Sequence, residues 1–141
     1  MSAIGVMELV VPADAIDTNG HVNNVRYVQW MQEAAMYHSA QLGWSQDRYA
    51  AMDRTWIVRS HSIVYRHSAY INEVLLVFTW VSTFEKIRSL RKFKFYRPAD
   101  DTVVATAATL FLFCDLVSGR PVSIPQEIQD VYTVVSQDEE P

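Results

Sequence analysis

The feature that most constrains the fold is one long helical pattern, which is followed mainly by strand-like segments. Over residues 24–42 the apolar side chains recur every three or four positions, which is typical of a helix with one buried face. These side chains are Tyr27, Trp30, Met31, Ala34, Ala35, Tyr37 and Leu42. Asn23 or Asn24 suits the N-cap, and Gly43 suits the position after the last turn. We therefore expect a helix of about five turns, long enough to cross a small domain.

The remaining segments have β-strand patterns. A short apolar run precedes the helix and stops at Pro12, and longer runs follow the polar connection 45–54. The predicted strands are residues 6–11, 55–67, 73–83, 90–97 and 102–115. A single helix followed by consecutive strands favours an α+β fold with an antiparallel sheet. The strands near residues 74–81 and 103–113 are apolar at nearly every position, so we expect the helix to cover one face and a second subunit to cover the other.

Size and charge limit the classes of function. The chain of 141 residues suits one domain, residues 1–141, in which we expect the acidic end 136–141 to be disordered. The net charge of −4, without a long basic stretch, argues against nucleic acid as a partner. No apolar run approaches the roughly 18–20 residues of a membrane span. Residues 1–8 lack the basic start of a signal peptide, so we expect a cytoplasmic protein.

Cysteine and histidine usage narrows the chemistry further. Cys114 is the only cysteine, so it cannot form an intramolecular disulfide. Its apolar neighbours favour a small buried side chain over a catalytic thiol. The four histidines show no spacing typical of metal ligands, and we therefore expect no metal site.

The loop before the helix carries the side chains best suited to chemistry. Residues 17–27 read Asp-Thr-Asn-Gly-His-Val-Asn-Asn-Val-Arg-Tyr, which puts a carboxylate, amides and an imidazole beside a helix start. The first backbone N–H groups of a helix lack intrahelical acceptors and can stabilise negative charge. A carboxylate at this place can act on a carbonyl carbon as a general base or as a nucleophile. The alternative is that Asp17 only shapes the loop as an Asx-turn residue.

This loop resembles that of the hotdog-fold acyl thioesterases, the family of 4-hydroxybenzoyl-CoA thioesterase, and is especially similar to plant acyl-ACP thioesterases. The matching sequence motif is Asp17-x-Asn19-Gly20-His21-Val22-Asn23-Asn24-x-x-Tyr27-x-x-Trp30. Further along the chain, the segment Asp115-x-x-x-Gly119-Arg120-Pro121 also matches the sequence pattern usual in the family. The resemblance covers the chain from about Val6 to Pro125.

The resemblance implies a fold, a substrate class and an assembly. The fold would be an antiparallel sheet of five or six strands wrapped around one long central helix. The protein would be a homodimer or homotetramer with active sites at the subunit interface. The substrate would be an acyl-CoA or an acyl carrier protein thioester of fatty acid metabolism, with coenzyme A or phosphopantetheine only as part of the substrate and no separate cofactor.

The resemblance also implies roles for particular residues of the loop. Asp17 aligns with the catalytic aspartate. Asn19 and His21 match residues that orient water or polarise the thioester, although His21 could equally bond only to backbone. The backbone N–H at Asn24 would receive the thioester oxygen, and Gly20 would allow a close approach of the backbone.

Outside the loop, the resemblance implies a second contact with the substrate. Tyr27 would belong to the pocket wall or to the core. The basic segment 86–92, with Arg88, Ser89 and Arg91, corresponds to a turn and strand that meet the phosphates of coenzyme A in the family. The alternative for this segment is a solvated strand face.

Three functions remain open at this stage. The first is a thioesterase. The second is a hotdog hydratase or dehydratase that acts on a 3-hydroxyacyl thioester, although the start of the helix lacks the dehydratase sequence motif. The third is a non-catalytic protein that binds acyl thioesters.

Overall fold

The computed structural model describes residues 3–141 and shows a sheet that packs against one long helix. In these residues the sheet has five strands, all paired antiparallel, in the order β1-β3-β4-β5-β2. The strands are β1 (Ile4–Val10), β2 (Arg54–Tyr65), β3 (Val74–Glu85), β4 (Arg88–Arg97) and β5 (Thr102–Asp115). The helices are α1 (Asn24–Gln41), α2 (Gln46–Ala51) and α3 (Gln126–Val131). The predicted α+β fold is confirmed.

Helix α1 begins and ends where the capping residues predict. The Asn23 side chain accepts a hydrogen bond from the backbone N–H of Val25 at 3.0 Å, which makes Asn23 the N-cap. Gly43 follows the helix with a φ of +91°, the left-handed conformation that glycine adopts without a steric penalty. The buried residues of α1 are Tyr27, Trp30, Met31, Ala34 and His38, and the helix packs against β1 and β3.

Strand β4 shows how the sheet sorts its side chains. Alternate residues of a strand point to opposite faces. Residues 89, 91, 93 and 95 of β4 are buried, whereas Lys92 and Lys94 lie between them on the more accessible face. The buried set includes Phe93 and Phe95, which belong to the core under α1. One basic residue, Arg91, is therefore carried into the interior together with the phenylalanines.

Close contact between α1 and β1 depends on a glycine. A Cβ atom added at Gly5 would lie 2.6 Å from Cγ of His38 and 2.7 Å from its Cβ. Real carbon atoms do not approach so closely, so either the helix or the strand would have to move. Gly5 thus sets the distance at which His38 and the end of α1 can sit over β1.

One segment differs from the sequence prediction. The connection 45–54 contains α2, whose N-cap Ser45 accepts a hydrogen bond from the backbone N–H of Arg48 at 3.2 Å. For the acidic end 136–141, Glu140 pairs with Lys92 at 2.6 Å, and the preceding residue, Val135, is buried. The disorder expected for this end stays a prediction.

Some properties concern the chain as a whole. Cys114 is buried, as predicted, and burial raises the pKa of its thiol. Among residues 3–141, none of the helices combines the length and apolar character that crossing a bilayer requires.

Candidate active site

The predicted catalytic loop forms a short hairpin between β1 and α1. Ile16 and Val22 pair as an isolated antiparallel bridge, and the backbone N–H of Asp17 donates to the carbonyl of His21 at 3.0 Å. The turn is closed by the N–H of Gly20, which donates to the carbonyl of Asp17 at 3.0 Å. Gly20 has a φ of +84°, so a glycine suits this turn position. The hairpin brings Asp17, Gly20 and His21 together just before the helix.

The carboxylate of Asp17 is fixed from within the same turn. Its Oδ1 accepts a hydrogen bond from the backbone N–H of Asn19 at 2.9 Å, while Oδ2 takes no part in that contact. Asp17 is half-buried and Asn19 is exposed. The side chain of Asp17 therefore makes an Asx turn and also presents a partly accessible carboxylate.

The hairpin is anchored to the rest of the fold on both sides. The N–H of Val22 donates to the carbonyl of Ala69 at 2.9 Å, and the N–H of Asn23 donates to the carbonyl of Ala15 at 2.8 Å. The ring of His21 is half-buried, and its Nδ1 lies 3.5 Å from the carbonyl oxygen of Val22. That distance is long for a hydrogen bond, so the backbone bonds are what hold the hairpin in place.

The N-terminus of α1 follows the hairpin directly. Asn24 is the first helical residue and is exposed, and its backbone N–H has no acceptor within the helix because no turn precedes it. The helix dipole adds partial positive charge at this end. The carboxylate of Asp17 and a helix-end N–H donor are therefore neighbours in the chain, a combination suited to attack on a carbonyl group.

Tyr27 lies in the core. It is 3 % exposed, and its ring makes edge-on contacts with Trp30, Tyr65 and Phe95. Burial raises the pKa of Tyr27 to about 12, so its hydroxyl stays protonated at neutral pH. Of the two positions that the sequence left open for Tyr27, the structure places it in the core.

The basic segment predicted to contact phosphates is divided between the two faces of β4. Arg88 is exposed and lies 3.7 Å from Glu85. Ser89 and Arg91 are buried, and the hydroxyl of Ser89 donates to the carbonyl of Thr83 at 2.9 Å. Arg91 donates to Nδ1 of His38 at 3.0 Å. These three residues therefore do not form one surface patch.

Sequence reasoning missed a half-open cavity next to Arg91, which has a volume of about 440 Å³. It lies between the second half of α1, α2, the start of β2 and Tyr132 after α3. Two signals pointed to it: His38 stands on the apolar face of the helical pattern, and Arg91 falls in step with Phe93 and Phe95 on the inward face of β4. Their contact with each other joins residues distant in the sequence, which the pattern does not reveal.

The residues that the structure describes include no cluster of three or more His, Cys, Asp or Glu side chains that could hold a metal ion.

An antiparallel sheet packed on one long helix, with a polar hairpin at the helix start, defines the hotdog-fold class. The sequence profile of the thioesterase-like superfamily matches residues 10–131. The chain belongs to this superfamily. No curated protein sequence matches the chain significantly.

Solved structures of low sequence identity share the fold. The DHNA-CoA thioesterase from Staphylococcus aureus has a TM-score of 0.82 and 19% identity, over 90% of this chain and 85% of that one. The 1,4-dihydroxy-2-naphthoyl-CoA thioesterase from Synechocystis has a TM-score of 0.83 and 19% identity, over 91% of this chain and 94% of that one. A hypothetical protein from Staphylococcus aureus in complex with CoA has a TM-score of 0.84 and 14% identity, over 91% of this chain and 80% of that one.

Proposed function

We propose that the protein hydrolyses acyl-CoA thioesters to a free acid and coenzyme A, with Asp17 as the reacting carboxylate. The observation that carries this proposal is the hairpin Asp17–His21, which sets a carboxylate directly before the N-terminus of the central helix. Membership of the thioesterase-like superfamily supports thioester chemistry. Similar folds with CoA thioesterase in their description support coenzyme A as the thiol.

In this proposal Asp17 acts in one of two ways. As a base, it takes a proton from water, whose oxygen attacks the acyl carbon, and the thiolate that leaves takes up a proton. As a nucleophile, it forms an acyl anhydride and expels the thiolate, and water then opens the anhydride to the free acid. In both routes negative charge develops on the carbonyl oxygen, which the backbone N–H of Asn24 stabilises. Such a donor contributes about 3 kcal/mol to transition-state stabilisation in other enzymes.

The neighbours of Asp17 have supporting roles. We assign the side chain of Asn19 and the imidazole of His21 to the orientation of water or of the thioester. Gly20 has no side chain, and nothing lies within 4 Å of a Cβ built at its position, so the space beside the turn is open. A substrate can therefore approach the turn closely.

We assign contact with the coenzyme A phosphates to Arg88 alone. Its side chain is about half exposed and lies on the turn side of β4, where a phosphate can reach it. Ser89 and Arg91 are buried on the inward face of β4, away from the exposed Arg88.

We also propose that the protein is a homo-oligomer that pairs through β2. This strand is at the edge of the sheet, and most of its residues are exposed. The exposed residues include Ile57, Val58, Val64 and Tyr65. An apolar edge strand is a template for pairing with a second chain. Light scattering coupled to size exclusion should give a mass of at least two chains, and a monomeric mass would contradict this proposal.

The test of the proposed activity is thiol release from short, long and aromatic acyl-CoAs and from acyl carrier protein thioesters. Asp17→Asn should lower kcat by about 10²–10⁴-fold while thermal unfolding stays unchanged. Asp14→Asn is the matched control, since Asp14 lies in the same loop, is exposed, and pairs only with Arg26 at 3.1 Å. Its activity should stay close to that of the wild type.

The outcomes separate the remaining functions. Activity retained in Asp17→Asn would refute the role of Asp17. Binding of acyl-CoA without release of thiol from any substrate would identify a non-catalytic binder. Hydration of crotonyl-CoA in place of thioester hydrolysis would identify a hydratase.

A further inference from the structure

The half-open cavity around Arg91 holds a buried cation that the proposed hydrolysis does not use. Arg91 lines the cavity and is only 6 % exposed. Its Nη1 donates to Nδ1 of His38 at 3.0 Å and to Oγ1 of Thr79 at 3.1 Å. Both partners are uncharged acceptors in these contacts, because a guanidinium only donates and Nδ1 of His38 must therefore carry no proton.

The charge of Arg91 is not balanced by an acid. Among residues 3–141, Arg91 takes part in no ion pair within 4.0 Å, and no Asp or Glu lines the cavity. Burial lowers the pKa of Arg91, which reflects the cost of keeping this charge away from water. The other arginine in the wall, Arg54, is already paired with Asp115 at 3.0 Å. An unbalanced buried charge is expensive, so it calls for an anion from outside the chain.

Two further polar groups of the wall also lack partners. Nε1 of Trp44 and the hydroxyl of Tyr49 are buried without a hydrogen-bond partner among the described residues. The indole N–H can only donate, and the phenol hydroxyl can donate or accept. By contrast, the hydroxyl of Tyr132 is paired, since it donates to Oγ of Ser39 at 2.8 Å. Both unsatisfied groups can therefore donate to a ligand that offers acceptor atoms.

Much of the rest of the wall is apolar, and six of its residues are aromatic. The aromatic residues are Trp44, Tyr49, Trp56, Phe84, Phe111 and Tyr132. The volume of about 440 Å³ lies in the range of small-molecule sites, about 300–1,000 Å³. A wall of this kind accepts an apolar body, while Arg91 accepts a negative group.

The cavity is remote from the hairpin of the same chain. Arg91 contacts His38, near the end of α1, whereas Asn24 is the first residue of that helix. At about 1.5 Å per residue, these positions are roughly 21 Å apart along the helix axis. A small ligand held at Arg91 is therefore not in the reaction site of its own chain.

We propose that this cavity is a binding site for a small apolar carboxylic acid, whose carboxylate pairs with Arg91 and whose body packs against the aromatic wall. Binding of the acid requires no bond to form or break, so it does not depend on hydrolysis at Asp17. The free acid and an acyl group with a carboxylate at its far end share this chemistry. We commit to the free acid, and an acyl group that enters from the hairpin of a partner subunit is the alternative that the test separates.

The test is calorimetric titration of the whole protein with octanoate and 3-phenylpropionate, each compared with its neutral amide. The acids should bind saturably and about tenfold or more tightly than the amides, since a hydrogen-bonded charge pair replaces a neutral contact. Adipoyl-CoA, which carries a distal carboxylate, forms a second arm. If it bound through Arg91 and the free acids did not, the proposal of a free-acid site would be overturned.

Variants assign the binding to Arg91. Arg91→Met should lose about tenfold or more in affinity for the acids and keep its affinity for the amides, measured in variant protein that still unfolds cooperatively. Arg66 is an exposed residue directly after β2 and does not line the cavity, so Arg66→Met is the matched control and should bind as the wild type does. Asp17→Asn should also bind normally, so loss of hydrolysis and loss of acid binding are separate results.

Each contrary result has a clear meaning. If the wild type bound neither acid in the millimolar range, or bound acid and amide equally, the proposal would be wrong whether or not Arg91→Met folds. Acid binding by folded Arg91→Met at wild-type affinity would also overturn it.

Discussion

Replacement of Gly5 by alanine should destabilise the protein through one contact that the structure defines. The new Cβ would lie 2.6 Å from Cγ of His38. Carbon atoms pack at about 3.5–4.0 Å, so the imidazole has to retreat by roughly 1 Å. The ring cannot do so freely, because it is 2 % exposed and accepts a hydrogen bond from Arg91 at 3.0 Å.

The magnitude follows from opposing contributions. Overpacking of a core costs about 1–3 kcal/mol, whereas alanine in place of glycine within a strand gains about 0.5–1 kcal/mol. If the hydrogen bond from Arg91 to His38 also breaks, about 1.5–3 kcal/mol is added to the loss. We therefore expect Gly5→Ala to lower the free energy of unfolding by about 2 kcal/mol, which urea denaturation measures.

A double-variant cycle identifies the cause. His38→Gly removes the atoms that the new Cβ would meet, so in that background Gly5→Ala should be neutral or slightly stabilising. The coupling energy between the two sites should then be about 2 kcal/mol. Gly119→Ala serves as the control: its φ is +72° and nothing lies within 4 Å of an added Cβ, so its cost is conformational and should not couple to His38. A neutral Gly5→Ala, or an equal loss in both backgrounds, would refute the reasoning.

Two other substitutions test contacts at the ends of elements. Asn23→Ala should lower the free energy of unfolding by about 0.5–2 kcal/mol, because it removes the N-cap bond to Val25 of 3.0 Å; an unchanged urea midpoint would argue against that cap. The backbone N–H of Ser118 is the main cause that holds the pKa of Asp115 below its ordinary value of 3.8. The contribution of Asp115 to stability is therefore present at neutral pH and is lost as the pH falls from about 4 through the folded-state pKa. Asp115→Asn should flatten the melting temperature between neutral and acid pH, and a profile parallel to that of the wild type would contradict this.

The elements that were predicted well carry their signals locally. Asn23 predicts the start of α1 and Gly43 predicts its end. In the structure Asn23 is the N-cap, and Gly43 follows the C-cap with a positive φ. Strand β5 has the bounds predicted for it, Thr102–Asp115, because the apolar run there is uninterrupted. Helix α2 was missed because six residues are too few to show a helical period, although Ser45 is a good N-cap.

Contacts between distant residues are what the local patterns do not show. The composition of the acidic end gives no sign of the ion pair of Glu140 with Lys92 at 2.6 Å. In the same way, the contact of Arg91 with His38 joins residues 53 positions apart and cannot be read from either local pattern. The hairpin at Asp17 was recognised as a loop with a tight glycine turn, but the catalytic roles of its residues remain predictions.

The alternation along β4 has a consequence for folding. A shift of one residue in the pairing of this strand would turn every side chain to the opposite face. Lys92 and Lys94 would then be forced under α1, and Phe93 and Phe95 would meet water. A sheet paired in this register would lose its hydrophobic core and bury charged side chains. Wrong registers of the strand are therefore disfavoured early in assembly. The residues that fill the interior thus also disfavour misfolded states in which this strand is paired in the wrong register.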